Sequence, residues 1–209
     1  MSAAGSTKLQ GHWDAAWADL ALPAPAAAFD ALIERYSEPH RAYHTLRHLE
    51  ECFVLFAGAR DLCAHPGEVA IALWFHDAVY DPKSADNEEH SAQWAQRILR
   101  DVGAAPEAQK RVVDLVLATR HEAQPQSQDA RVLVDIDLAI LGAEAARFDE
   151  YEKQVRAEYA HVPAFLFRKG RAKILKQFLA RPAIYSTDSF RNRFETRARA
   201  NLARSLAKL

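Results

Sequence analysis

The chain has 209 residues, of which 49% are hydrophobic and 26% charged, with a formal net charge of -1. That composition excludes a disordered chain, and a near-zero net charge gives no case for a nucleic-acid or membrane-surface protein. Two cysteines, Cys52 and Cys63, are too few for a disulfide scaffold and read as reduced thiols. Only seven glycines stand among abundant Ala and Leu, which favours helices over a turn-rich β protein. No apolar run approaches the roughly 20 residues needed to span a bilayer. Met1–Thr7 has neither the basic nor the apolar region of a signal peptide. The expectation is a cytoplasmic protein with a flexible N-terminus over residues 1–8.

Helical spacing then recurs almost without gaps. Trp13, Trp17 and Leu20 share one face of Leu9–Leu20, and Phe29, Leu32, Ile33 and Tyr36 one face of Ala26–Tyr36. Leu46–Phe56 carries Leu49, Phe53 and Phe56. Pro66 opens a helix at the favoured first-turn position, and Val69–Phe75 is apolar on every side, the pattern of a buried central helix. Asp86 with Glu89 three residues on resembles a capping box, and Gly103 ends the helix it opens. Pro106–Arg120 follows. Val132–Leu138 alternates like a strand, but an isolated strand has no partner, so Ala130–Leu141 is read as helix. Glu144–Tyr159, Phe165–Leu179 and Phe190–Leu206 complete an all-α, single-domain bundle. The last helix carries Arg191, Arg193, Arg197, Arg199, Arg204 and Lys208 beside an apolar stripe. It reads as a packing helix, since the interleaved aromatics of an RNA-binding face are missing.

Three stretches stand out chemically. His76 and Asp77 end the apolar helix, where an Asp is costly unless paired or bound to a cation; an exposed helix end with a lone ion pair is the plain alternative. His44 and His48, four apart, share a helical face and can chelate one metal or simply form a surface pair. Asp135 and Asp137 interrupt a run of Val, Leu and Ile. Buried carboxylates neutralise or find partners; a metal would serve both, and so would one solvated and one capping Asp. There is no HExxH, so a zincin-type protease is not supported. Together the stretches offer a nitrogen and oxygen ligand set that suits Mn, Fe, Co, Ni or Zn and admits Mg.

The order His48, His76-Asp77, Asp137 resembles the H…HD…D pattern of the HD-domain superfamily of metal-dependent phosphohydrolases. More narrowly, Tyr43-His44-Thr45-Leu46-Arg47-His48, Phe75–Tyr80, Asp86–Glu89 and Asp135–Gly142 resemble a bacterial branch of predicted HD phosphohydrolases. The likeness continues through Val155–Tyr159 and Gly170-Arg171 to Ala198–Leu202, covering nearly the whole chain after Pro39.

This resemblance implies an HD-type helical domain over residues 9–209 with the metal between helices. It implies an enzyme that hydrolyses a small phosphate ester, such as a nucleotide, by a metal-activated water. The metal ligands would be His48, His76, Asp77 and Asp137, with Asp135 behind them. Asp77 would also hold the attacking water. Glu88 is the candidate acid/base, although a solvated face explains it equally, and Glu89 is left to the capping box. Arg47 and Arg120 are candidate phosphate contacts, and His44 would orient His48 or touch substrate. His121 is either a substrate contact or a histidine favoured at a helix C-terminus. The alternative is a non-catalytic metal-containing module that binds a nucleotide or protein partner, and the third is a helical scaffold without metal.

Overall fold

The computed structural model of the chain describes residues 3–121 and 123–209. Met1 and Ser2, which the N-terminal reading includes, lie outside the described residues, as does Glu122. Among the described residues every regular element is helical: α1 (Ala3–Asp19), α2 (Ala26–Arg35), α3 (Leu46–Ala59), α4 (Pro66–Phe75), α5 (Asn87–Asp101), α6 (Pro106–Ala118), α7 (Gln128–Asp137), α8 (Ala145–Glu158), α9 (Ala164–Ala180) and α10 (Asp188–Leu206). Short 3-10 segments run over Arg60–Leu62 and Leu138–Gly142. None of the described helices is long and apolar enough to cross a membrane. The described residues form two compact units, 1–134 and 135–209, and the division falls within α7.

Three local readings change. α1 begins at Ala3, ahead of the Leu9 start that apolar spacing marks and inside the stretch expected to be flexible. The capping box is absent: Asp86 occupies the N-cap of α5 without a side-chain capping bond, and Glu89 pairs with Arg120 instead. A guanidinium brings the carboxylate an opposite full charge, which a neutral backbone N–H does not. The helix read as continuous over Ala130–Leu141 is α-helical only to Asp137 and then tightens to 3-10.

The first unit is built around α4. Every residue of Gly67–Phe75 is buried, the stretch Val69–Phe75 as its uniform apolarity predicts. Trp74 takes edge-on contacts from Trp13 at 5.3 Å and Phe29 at 5.7 Å between ring centroids, with Phe53 tilted at 5.2 Å. A Cβ on Gly67 would lie 2.3 Å from Leu20 Cδ1 and 2.6 Å from Asp19 Cβ, so the end of α1 meets the start of α4 at a distance that only glycine permits. Glu68 is buried in this setting, and Arg111 of α6 binds it bidentately, Nε to Oε2 and Nη2 to Oε1, each at 2.7 Å. Arg111→Ala leaves that carboxylate unpaired. Because the guanidinium is partly solvated, the expected loss is about 2 kcal/mol, read as a thermal midpoint lowered by several degrees.

In the second unit, the 3-10 segment packs on α10. A Cβ on Gly142 would sit 2.7 Å from both Cβ and the carbonyl oxygen of Phe194. Asn201 donates to the carbonyls of Leu141 and Ala143, both at 2.9 Å, and Tyr185 Oη donates to that of Leu138 at 3.1 Å. Thr187 caps α10. The basic residues of α10 largely serve this unit: Arg197 pairs with Glu144, Arg199 with Glu195 and Arg204 with Asp149. Arg199 also donates to the carbonyls of Leu179, Arg181 and Pro182.

Candidate metal centre

α3 and the end of α4 bring three of the expected ligands together within the first unit. His48 lies on the buried face of α3, and His76 is the C-cap of α4. Their Nε2 atoms are 3.1 Å apart. Asp77 Oδ2 lies 3.0 Å from His76 Nε2 and 3.5 Å from His48 Nε2. Both imidazoles are buried, while the Asp77 side chain remains 18% exposed and gives the cluster an open edge.

The hydrogen bonding shows what such a cluster needs. His76 Nδ1 donates to the carbonyl of Leu73 at 2.8 Å, so in the neutral ring Nε2 carries a lone pair. That lone pair faces His48 Nε2 and a carboxylate oxygen. A neutral His48 ring that donates its Nε2–H satisfies these acceptors, and so does a metal ion bound between them. Donor atoms in adjacent positions around one ion at about 2.1 Å lie about 3.0–3.4 Å apart, close to the observed separations. Donation of the second ring nitrogen to a backbone carbonyl is also the usual way a metal-binding histidine is oriented. The residues therefore fit a divalent ion. Burial raises the Asp77 carboxyl, but charge on His76, His44 and His48 together with the His76 hydrogen bond outweighs it and holds the group below the ordinary carboxylate range.

Cys52, one turn beyond His48 on α3, is the donor that sequence reasoning missed. Its Sγ lies 3.7 Å from His48 Nε2 and 3.8 Å from Nδ1. His48, Cys52 and His76 each offer a ligand atom within 4.8 Å of the others, a triad that could hold a metal ion. The i, i+4 spacing of His48 and Cys52 was the available signal. Cys63 belongs elsewhere: it is half-buried and bonds back to the carbonyl of Ala59 at 3.8 Å. Burial and the neighbouring Asp129 push its thiol up to about 12. At pH 8 only about 10⁻⁴ of it is thiolate, so in the native protein Cys63 should resist a thiol reagent that labels it rapidly after denaturation.

The other expected residues divide. The His44 ring packs against Tyr80 at 4.2 Å between centroids and stands 6.1 Å from that of His48, beside the cluster rather than in it. Glu88 and Arg120 come together, Oε2 to Nε at 4.0 Å, with Glu89 on the same guanidinium. The start of α5, which carries Glu88, is tied to the chain following Asp77. Val79 N donates to Ser91 Oγ at 3.0 Å, and Asn87 exchanges bonds of 3.0 and 2.9 Å with the backbone of Asp81. His121 adopts a left-handed φ of 57° just after α6. Arg47 is exposed and pairs with Glu51 at 3.3 Å along α3.

Asp135 and Asp137 belong to the second unit. Asp135 is fully buried, and its carboxylate accepts from Ser186 N, Thr187 N and Thr187 Oγ1, each at 2.7 Å. Burial still raises its carboxyl despite these bonds. Asp137 is the last residue of α7 and is only partly buried.

Arg41 is a further residue that the sequence did not single out. Its guanidinium is buried beside the turn that carries Asp77 and donates to the backbone there. Comparison with protein families, curated proteins and solved structures finds no match to this chain.

Proposed function

We propose that this protein is a metal-dependent phosphohydrolase of the HD type that hydrolyses a small phosphate ester, such as a nucleotide. The observation that carries this reading is the convergence of His48 Nε2, His76 Nε2 and Asp77 Oδ2, within 3.0–3.5 Å of one another, in the order of the motif that resembles the family. The motif that resembles the family places its last ligand at Asp137. The three donors already accepted by Asp135 support that choice over its neighbour. When bound, a divalent ion supplies Lewis acidity toward a phosphoryl oxygen and lowers the pKa of a water molecule. Asp77, at the open edge, orients the attacking water. Glu88, held beside Arg120, gives a proton to the leaving oxygen, and Arg120 and His44 contact the phosphate or its ester group.

The test is phosphate release from p-nitrophenyl phosphate and from nucleoside mono-, di- and triphosphates. Chelated protein is compared with protein resupplied with Mn, Co, Ni, Zn or Mg. Turnover is expected only with metal. Glu88→Gln should slow it about 10²-fold, the usual weight of a general acid. Hydrolysis by metal-free protein would overturn the mechanism. Tight metal retention with no turnover on any ester would leave the non-catalytic binding module.

A further inference from the structure

We infer that Arg41 is a positioning residue that sets the geometry of the donor cluster from behind. This rests on the metal-site reading above and adds to it a residue outside the motif. Helix α4 ends at Phe75, immediately before the ligands, and the last carbonyls of a helix have no intrahelical donors. In this protein side chains supply them. His76 Nδ1 donates to Leu73 O and Tyr36 Oη donates to Trp74 O at 3.1 Å; beyond the turn that follows, His40 Nε2 bonds Tyr80 O at 2.8 Å.

Arg41 takes the carbonyls at the centre of that turn. Its Nη1 donates to Asp77 O at 2.7 Å and to His44 O at 3.1 Å, and its Nη2 donates to Ala78 O at 3.1 Å. Its Nε donates to Glu38 Oε2 at 3.1 Å. The guanidinium lies over the Tyr36 and Tyr80 rings, 5.2 and 5.5 Å from their centroids, and the side chain is 0% exposed.

A buried charge with these partners is tightly determined. The planar fork reaches carbonyls from two stretches of chain: the segment leading into α3, with His44, and the turn after α4, with Asp77 and Ala78. It thereby fixes the backbone of Asp77 relative to the α3 entry, and with it the relation between Asp77 Oδ2 and His48 Nε2. A lysine has its donors on a single nitrogen and cannot span the same carbonyls.

The test uses cobalt(II) as a probe of the chelated full-length protein, with affinity and the d–d absorption spectrum at saturation as readouts. Circular dichroism, well below each variant's thermal midpoint, establishes that the proteins compared are folded. Arg41→Lys and Arg41→Met are expected to weaken cobalt binding by about 10-fold or more, the usual effect of losing an orienting partner. They should also change the spectrum of the saturated site. Arg111→Ala is the control: it destabilises the same unit from Glu68 and should leave both readouts unchanged. A purely structural role for Arg41 predicts lower thermal midpoints with wild-type affinity and spectrum, and that result would overturn the inference while sparing the metal site. Wild-type protein that binds no cobalt would overturn both. Should the Arg41 variants not fold, Glu38→Ala, which frees the Nε end of the guanidinium, decides by the same readouts. A changed spectrum supports the inference, and an unchanged one overturns it.

Discussion

Replacing His76 by Ala should strip the protein of its divalent ion. Wild-type protein purified without chelator is expected to carry about one ion per chain, and His76→Ala to carry almost none. The structure makes this histidine central. Its Nε2 is the atom closest to both His48 and Asp77, and its Nδ1 bond to Leu73 O fixes the ring. The expected fall in affinity is about 10²-fold, the share of one ligand among several in the binding free energy of a transition-metal site. Asp77→Asn should fall comparably, because it removes the charge that balances the cation. Elemental analysis with equilibrium binding of zinc or cobalt measures both variants. Wild-type metal content in both would remove the metal centre from the account of this protein.

Asp135 and Asp137 should separate stability from metal binding. Asp135→Ala deprives three donors, the partly buried Ser186 N and the buried Thr187 N and Thr187 Oγ1, of their shared acceptor. Thr187 is also the N-cap of α10, so the loss reaches the element on which the Leu138–Gly142 segment packs. A loss of about 3 kcal/mol is expected in denaturant unfolding of the metal-free protein, since each unsatisfied buried group costs about 1–3 kcal/mol. Asp137→Asn, at the position that the motif marks as its last ligand, is the comparison, with metal affinity as the readout. If Asp135 proved to control metal affinity and Asp137 stability, the assignment of the two carboxylates would be reversed.

Much of the helical architecture was legible from apolar spacing. Pro66 and Pro106 mark helix starts, Gly103 takes the positive φ of 83° that ends α5, and the uniform apolarity of Val69–Phe75 marks the buried helix. Local readings failed where a distant partner outweighed a local rule. Glu89 left its capping box for Arg120, and the helix through Asp137 tightened where Tyr185 and Asn201 hold the carbonyls that follow. His48, His76 and Asp77 could be nominated because their order resembles a motif and because charge at the end of an apolar helix needs a partner.

The sequence by itself determined that this chain is all-helical and that histidine and aspartate stand at the C-terminal end of its most buried helix, since both follow from residue periodicity and the cost of burying charge. Only the tertiary structure decided which donors meet, that Cys52 joins His48 and His76, that Asp135 is occupied by backbone and hydroxyl donors, and that Arg41 supplies the turn beyond α4. Those outcomes depend on hydrogen-bond partners tens of residues apart, whose geometry is set by packing rather than by any local pattern.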